Sequence, residues 1–219
     1  MTSEVNYNNL FIIGAGGFAR EIYSYLSNSG FVYNGSKLVG FLADKDNDKN
    51  SLNNFSYQHE IVGDLKCSSL NYDDLLIVAV SDPELKEQIS CFYEKNNGSI
   101  ISYIHPTAII GHGADIGLGA VLAPYSVVAT NVTLGRICTI NAFSSIGHDA
   151  ILGDFCTLSG HCDITGNVKI ESKVFMGSHV SVIPNVEVGL GAVIGAGSVV
   201  IRKVKENTTV FGNPAKKII

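Results

Sequence analysis

The sequence predicts an α/β domain at the front of the chain and a parallel β-helix behind it. Two observations carry this prediction: a strand, glycine turn and helix close to the N-terminus, and a strict six-residue period in the second half of the chain. A helix would show a period near 3.6 and an antiparallel sheet a period of 2. A period of six therefore indicates short strands joined by regular turns.

The repeat runs from Ile110 to Val200, and all sixteen residues at its first position are aliphatic or Met. The residue four places after each of them is small, which includes Cys138, Cys156 and Cys162. Three hexads make one coil of about 18 residues, so side chains 18 apart are expected to lie one above another. We therefore interpret these three cysteines as reduced packing residues, and expect no loop to leave the coils.

The front of the chain has the pattern of a small Rossmann-like unit. A strand at 10–13 runs into a glycine-rich turn and a helix that extends to about residue 28, and further strands are predicted at 38–42 and 75–80. Polar or glycine residues follow these strands, namely Gly14, Gly16, Gly17, Asp44, Lys45, Ser81 and Asp82. A helix N-terminus behind a glycine turn offers free N–H groups to an anion.

Three interpretations of the glycine turn stay open at this point. The glycines form only a tight turn, or they belong to a dinucleotide fingerprint with Asp44 as the ribose-binding acid. The third interpretation, binding of a mononucleotide or sugar nucleotide, is favoured because about 100 residues supply only part of a dinucleotide fold.

Composition excludes several classes of protein. The 219 residues carry a net charge of −5 with no basic cluster, which argues against a nucleic-acid partner. The polar N-terminus lacks the features of a signal peptide, and no apolar run reaches the roughly 18 residues of a membrane helix. We expect a soluble, cytoplasmic protein with no membrane insertion.

His148 is the candidate catalytic residue on the coil. It occupies a turn position that points away from the packed interior, and Asp149 stands beside it. Histidine has an ordinary pKa of about 6.5, so it accepts a proton near neutral pH, and a neighbouring acid fixes its tautomer. One coil later, Gly166 leaves room for a ligand and offers an N–H to an oxyanion. The alternative is that His148 is an ordinary surface residue on a turn.

Two further histidines, His161 and His179, are 18 apart and are expected to stack on one edge. This raises the alternative of a metal site, as in a metal-dependent hydratase. The His-x4-His pair of the hexapeptide-fold carbonic anhydrases is absent from the sequence, so we predict no metal ligands.

Several short motifs together indicate a family, and they occur in this order: Gly14-Ala15-Gly16-Gly17, Asp44-Lys45, Ile104-His105-Pro106, Gly147-His148-Asp149, Ile164-Thr165-Gly166-Asn167 and Gly212-Asn213-Pro214. With them the chain resembles the sugar O-acyltransferases of the sialic acid acetyltransferase NeuD type, nearly end to end. The branch it resembles most contains the PglD-, PerB- and VioB-like nucleotide-sugar N-acetyltransferases. The resemblance implies a left-handed β-helix, a homotrimer, and acetyl-CoA as cosubstrate with no permanently bound cofactor.

The resemblance also implies roles for residues. His148 corresponds to the catalytic base and Asp149 to its acid partner. The acetyl-CoA groove between neighbouring β-helices would involve Gly166, Thr157, Ala196, His161 and Lys216, with Ala196 standing where some relatives have Gly. The front-domain set named above would hold a UDP-, dTDP- or GDP-linked amino sugar. The expected domains are 1–103 for the nucleotide sugar and 104–219 for acetyl-CoA and catalysis.

The function implied is acetylation of the 4-amino group of a nucleotide-linked 4-amino-4,6-dideoxy sugar, for bacterial surface glycans. Because Cys156 and Cys162 hold interior positions, we expect direct transfer rather than a thiol intermediate. Two alternatives remain: O-acetylation of a sugar of the sialic acid type, and a non-catalytic protein that binds a sugar nucleotide.

Overall fold

The computed structural model describes residues 8–44, 52, 55–67, 69–71, 73–96 and 98–218. The chain forms two compact units. The first consists of Met1–Val80 and Glu87–Ile101, and the second of Ser81–Lys86 and Ser102–Ile219. The short segment Ser81–Lys86 therefore groups with the second unit although it lies within the predicted first domain. Whether 1–103 and 104–219 are separate domains stays a prediction.

The first unit is built on one sheet. Its elements are β1 (Asn8–Ile13), α1 (Gly17–Ser27), β2 (Val32–Tyr33), β3 (Ser36–Leu42), β4 (Ile61–Gly63), β5 (Leu75–Val78), β6 (Ser99–Ile100) and the part of α2 (Pro83–Lys95) that follows Lys86. The strand order is β2-β3-β1-β5-β6, with β4 also paired to β3. Every pairing is parallel except that of β2 with β3. This confirms the predicted Rossmann-like α/β unit.

The core of this unit is formed by the central strand of the sheet and by one face of helix α1. β1 is central in the sheet, so both of its faces are covered and Leu10, Ile12 and Ile13 are fully buried. Helix α1 buries one stripe of residues three and four apart, namely Ala19, Ile22, Tyr23 and Leu26. The glycine turn between β1 and α1 is thereby held between two packed elements.

The second unit is a left-handed parallel β-helix, as predicted. Its sixteen regular strands, β8 to β23 among the described residues, each end on an aliphatic residue of the predicted register: Ile109–Ile110, Asp115–Ile116, Val121–Leu122, Val127–Val128, Thr133–Leu134, Thr139–Ile140, Ser145–Ile146, Ile151–Leu152, Thr157–Leu158, Asp163–Ile164, Lys169–Ile170, Phe175–Met176, Ser181–Val182, Glu187–Val188, Val193–Ile194 and Val199–Val200. β7 (Tyr103–Ile104) precedes them, and β24 (Thr209–Phe211) and β25 (Lys216–Lys217) follow. No hexad is interrupted.

Three sheets form the faces of the prism. Face 1 contains β7, β10, β13, β16, β19, β22, β24 and β25, face 2 contains β8, β11, β14, β17, β20 and β23, and face 3 contains β9, β12, β15, β18 and β21. Each strand from β7 to β20 pairs in parallel with the strand 18 residues later, as in Thr139↔Thr157, whereas β22 pairs with β24 sixteen residues later and β24 pairs with β25 in antiparallel fashion. From Leu122 to Val200 the second residue of each strand and the small residue four places later fill the interior, and Cys138, Cys156 and Cys162 are buried there as predicted.

The corners of the prism have a recurring backbone conformation. One residue at each corner has a positive φ, which non-glycine residues rarely adopt. Corner A, between faces 1 and 2, carries Tyr125, Phe143, His161, His179 and Gly197. Corner B, between faces 2 and 3, carries Gly113, Asn131, Asp149, Asn167 and Asn185. The hexad register therefore gives one corner a ladder of rings and the next a ladder of short polar side chains.

Candidate active site

His148 and Asp149 form a hydrogen-bonded pair on corner B. His148 Nδ1 lies 2.7 Å from Asp149 Oδ2, and both side chains are about half exposed, at 63% and 46%. An ionised carboxylate only accepts hydrogen bonds, so Nδ1 donates and carries the proton. The lone pair is therefore on Nε2, where it is available to accept a proton.

The electrostatics of the pair keep the carboxylate ionised. The hydrogen bond from His148 lowers the pKa of Asp149 below its ordinary value, and a second hydrogen bond from Asn131 lowers it further. The coils below and above hold the backbone at this point: Asp149 N–H donates to Thr130 O at 3.1 Å, and Asn167 N–H donates to His148 O at 2.9 Å.

Gly166 lies directly above the imidazole, one coil later. A Cβ placed on it would lie 2.6 Å from His148 Nε2 and 2.7 Å from Cε1. The missing side chain of Gly166 was expected to leave room for a ligand. The structure corrects this expectation, because the His148 ring fills that space. Within the described part of the chain the Gly166 N–H has no acceptor.

A shallow depression adjoins the pair on the face 3 side. Its volume is about 300 Å³, and it is lined by Asp149, Asn167, Lys169, Asn185 and Glu187. Polar side chains therefore continue upward from Asp149 along corner B.

The residues predicted to bind acetyl-CoA lie at several places on the β-helix. His161 is exposed on corner A and stacks between Phe143 and His179, with ring centroids 5.0 and 4.7 Å apart, as the 18-residue spacing predicted. Ala196, next to Gly197 on the same corner, is exposed, and so is Lys216 on β25. Gly166 is on corner B, so face 2 separates it from His161 and Ala196 on corner A.

Thr157 differs from the other predicted acetyl-CoA residues because its hydroxyl is buried. Its Oγ1 donates to Ser81 O at 2.7 Å and accepts from Lys86 Nζ at 2.6 Å. Ser81 thus contributes its carbonyl to the β-helix unit, and Asp82 Oδ1 accepts from Leu85 N–H at 2.7 Å as the N-cap of α2. A direct contact of the Thr157 hydroxyl with acetyl-CoA would require these internal bonds to break.

Lys86 is a buried cation that the sequence did not indicate. It is fully buried, and its Nζ also donates to Thr139 Oγ1 at 2.8 Å and to Cys156 O at 3.1 Å. Burial lowers the pKa of Lys86 to about 8, against the opposing effects of Cys138, Cys156 and Asp82. A lysine in a helix is normally solvated, and no pattern in the sequence distinguishes this one.

In the first unit, the glycine turn divides into a constrained and an open part. Gly14 has φ +106, and a Cβ on it would lie 2.9 Å from Ala79 O, so the backbone requires glycine there. Gly16 is the N-cap of α1, and a Cβ on it would meet nothing within 4 Å. Gly17 is almost as open, with Arg20 Nη2 at 3.8 Å. The structure therefore leaves open space in front of the first turn of α1.

Asp44 lies two residues after Leu42, the last residue of β3, whereas Lys45 lies outside the described residues. Near the same turn, the Arg20 guanidinium lies 4.5 Å from the centroid of the Phe55 ring. The nucleotide-binding roles of Gly14, Gly16, Gly17 and Asp44 stay predictions.

Among the described residues, no group of three or more His, Cys, Asp or Glu side chains could hold a metal ion. His161 and His179 stack on each other's faces, which turns their nitrogens away from a shared ligand position. The described helices also include none long and apolar enough to cross a membrane.

Comparison with known proteins supports the resemblance inferred from the motifs. Residues 9–91 match the family model of the PglD N-terminal domain. No curated protein matches the chain. Among solved structures, the chain is similar to the acetyltransferase domain of PglB from Neisseria gonorrhoeae FA1090 in complex with acetyl coenzyme A. The identity is 26% with a TM-score of 0.84, over 97% of this chain and 100% of that one.

Two further structures share the fold over the whole chain. PerB from Caulobacter crescentus in complex with CoA and GDP-perosamine is 24% identical with a TM-score of 0.82, over 99% of this chain and 100% of that one. WeeI from Acinetobacter baumannii AYE is 22% identical with a TM-score of 0.83, over 97% and 100%. The resemblance that the motifs indicated is confirmed at the level of fold and front domain: the chain shares the fold of the PglB acetyltransferase domain and of PerB, and its front part matches the PglD N-terminal domain.

Proposed function

We propose that this chain is an acetyl-CoA-dependent N-acetyltransferase that acetylates the 4-amino group of a nucleotide-linked 4-amino-4,6-dideoxy sugar. The observation that carries the proposal is the exposed His148–Asp149 pair, whose hydrogen bond leaves Nε2 free to accept a proton. This pair lies on a β-helix of the same fold as a domain bound to acetyl coenzyme A.

The donor is supported by that similarity, since the PglB domain is 26% identical over nearly the whole chain. Gly166, His161, Ala196 and Lys216 are all at least partly accessible and stay candidates for acetyl-CoA contacts. Thr157 acts differently in this proposal: through Ser81 O and Lys86 Nζ it holds Ser81 and the first turn of α2. Acetyl-CoA is a cosubstrate, and no permanently bound cofactor is required.

The acceptor class is supported by the front domain, which matches the PglD N-terminal domain. The open space at Gly16 and Gly17 lies before the first turn of α1, where unpaired N–H groups attract an anion such as a diphosphate. UDP, dTDP and GDP all carry that group. Asp44, Lys45, Ser81 and Asp82 are the proposed further contacts to the nucleotide sugar.

Transfer would be direct. The sugar amine attacks the thioester carbonyl carbon, and His148 Nε2 takes the proton that the amine loses. The Gly166 N–H supports the oxyanion, the carbon–sulfur bond then breaks, and the thiolate of CoA leaves and takes the proton from the His148 imidazolium, which restores the base. Asp149 stabilises the imidazolium through the Nδ1 hydrogen bond. The products are an acetamido sugar nucleotide and CoA.

The proposed setting is the cytoplasm, where the product would enter a bacterial surface glycan, and the proposed assembly is a homotrimer. Acetyl-CoA would bind in the groove between neighbouring β-helices. Corner A, with its exposed column of rings, and corner B, with the catalytic pair, are the two edges of face 2.

One experiment tests the function directly. The protein is incubated with acetyl-CoA and each of a panel of UDP-, dTDP- and GDP-linked 4-amino-4,6-dideoxy sugars, and release of the free CoA thiol is followed. We expect turnover with at least one member and N-acetylation of its product by mass spectrometry. Turnover only with a hydroxyl acceptor of the sialic acid type would replace N-acetylation by O-acetylation, and no turnover at all would favour a non-catalytic binding protein.

A further inference from the structure

We propose that Asn131 is a positioning residue: it holds the Asp149 carboxylate in the one orientation that fixes the His148 proton on Nδ1. The inference rests on the proposed function for its catalytic consequence. The geometry on which it depends is independent of the substrate.

Asn131 and His148 bind different oxygens of the same carboxylate. Asn131 Nδ2 donates to Asp149 Oδ1 at 3.1 Å, and His148 Nδ1 donates to Oδ2 at 2.7 Å. With one donor on each oxygen, the carboxylate cannot turn about its Cβ–Cγ bond without losing a hydrogen bond. The three side chains thus form a connected chain on corner B.

The coil below determines how the Asn131 amide is oriented. Asn131 lies one coil above Gly113, and a Cβ on Gly113 would lie 2.7 Å from Asn131 Oδ1. The glycine therefore makes room for the amide oxygen, which leaves the amide N–H₂ facing Asp149. The reverse orientation would place the amide oxygen against a carboxylate oxygen, and two acceptors repel each other.

The backbone also holds Asn131 in place. Its N–H donates to His112 O at 3.1 Å, and its φ of 58° is one that asparagine tolerates better than most residues. The uninterrupted hexads set the distance between coils, so Asn131 and Asp149 are kept in register by the same repeat that builds the core.

A second donor is needed because the pair is in contact with water. Asp149 is 46% exposed, so water competes for both of its oxygens and a carboxylate held at one oxygen alone can rotate away. A histidine without a fixed acceptor at Nδ1 exchanges between its two neutral tautomers. The tautomer with the proton on Nε2 has no lone pair where the amine would arrive.

The test compares two asparagine-to-glycine variants. Asn131→Gly removes the donor, and glycine adopts a positive φ without strain. The matched control is Asn207→Gly on a different corner: Asn207 also has a positive φ, of 49°, and its Oδ1 also lies over a glycine, 2.6 Å from a Cβ on Gly191. The two substitutions therefore remove the same side chain from the same local geometry.

The first readout needs no substrate. Nitrogen-15 NMR of the histidine side chains at pH 8 reports which nitrogen of His148 carries the proton, with the resonance assigned from His148→Ala. We expect the Nδ1–H tautomer to predominate in the wild type and in Asn207→Gly, and the Nε2–H tautomer to become populated in Asn131→Gly. An unchanged His148 tautomer in Asn131→Gly would overturn the proposal.

The second readout is turnover. We expect kcat of Asn131→Gly to fall about tenfold, the size of one hydrogen bond to a charged group, with KM for both substrates within about twofold. A rise in KM with kcat unchanged would contradict a positioning role. If the tautomer shifts as expected but the wild type transfers acetyl to no amino sugar, Asn131 keeps its role and the proposed function fails instead.

Discussion

At the residue scale, the site depends on one close approach between neighbouring coils. The imidazole of His148 occupies the space that a side chain at position 166 would need, since Nε2 would lie 2.6 Å from a Cβ there. Real Cβ contacts are not that short, so any side chain at this position must push the ring away. Glycine at position 166 is therefore required to make room for the His148 ring, and not only for the acetyl group.

Replacing Gly166 by Ala should reduce turnover strongly, by roughly a hundredfold, because a base displaced by about 1 Å no longer meets the reacting atoms. Gly160→Ala is the control. Gly160 holds the same position in its hexad, and a Cβ there meets only Ala142 O at 3.4 Å. The turnover of both variants is measured by steady-state kinetics. Equal turnover in the two alanine variants would contradict the requirement for glycine at position 166.

The buried thiols give a second prediction at this scale. Burial raises the pKa of Cys162 to about 11 and that of Cys138 well above its ordinary value. Cys156 has no exposed surface. Brief treatment of the folded protein with iodoacetamide should therefore modify Cys91 first, which is exposed, and leave these three intact. If mass spectrometry detects rapid alkylation of Cys156 or Cys162, transfer through a thiol intermediate becomes possible again.

The hexad register predicted much of the site from the sequence alone. It placed His148 outward with Asp149 beside it and Gly166 one coil above. Asn131 was missed although it stands 18 residues before Asp149, because asparagine at a turn is usually explained by its tolerance of a positive φ. The reason for glycine at 166 was also missed, since spacing does not say which neighbour fills a gap.

At the element scale, the first turn of α2 is attached to face 1 of the β-helix within the second unit. Lys86 donates three hydrogen bonds there, to Thr139, Thr157 and the carbonyl of Cys156. The sequence alone is compatible with the start of α2 at Pro83, because proline is favoured at the first position of a helix. It could not predict the buried cation, because a lysine becomes buried only when tertiary contacts satisfy its donors.

This attachment predicts a pH dependence of stability. Burial lowers the pKa of Lys86 to about 8, so above pH 8 the unfolded chain binds more protons than the folded one. Between pH 8 and pH 10 the free energy of unfolding of the wild type should therefore rise relative to Lys86→Met, by about 2 kcal/mol.

Denaturant unfolding of both proteins at several pH values in this range gives the difference directly. The comparison with Lys86→Met cancels the titration of groups that do not interact with Lys86, whereas the coupling of Asp82, Cys138 and Cys156 to the lysine charge stays part of the measured difference. A wild-type free energy that falls relative to the variant as the pH rises would contradict the buried charge.

At the scale of the whole molecule, the strict repeat explains why the second unit consists of regular coils. Every hexad contributes two strand residues and a turn, so all variation is in the side chains that the corners and faces present. The sequence predicted this architecture because its period is unambiguous. The hand of the coil came only from family resemblance, since spacing is the same for either hand.

The proposed homotrimer makes a prediction at this scale. Light scattering coupled to gel filtration should give three times the chain mass of 23.3 kDa. Asp substitution of Phe143, which is 55% exposed in the ring column of corner A, should weaken the assembly if corner A borders the subunit contact. The exposed Leu118, on the corner between faces 3 and 1, is the control for a charge placed on an apolar surface residue. A monomeric wild type would contradict the proposed assembly.

The central claim is that His148 acts as the base in acetyl transfer, and His148→Ala tests it most directly. Its steady-state turnover is measured with the best acceptor from the sugar panel, and its affinity for acetyl-CoA by calorimetry. We expect kcat to fall by roughly a hundredfold or more, with acetyl-CoA affinity within about twofold of the wild type. Full turnover in His148→Ala would contradict the account.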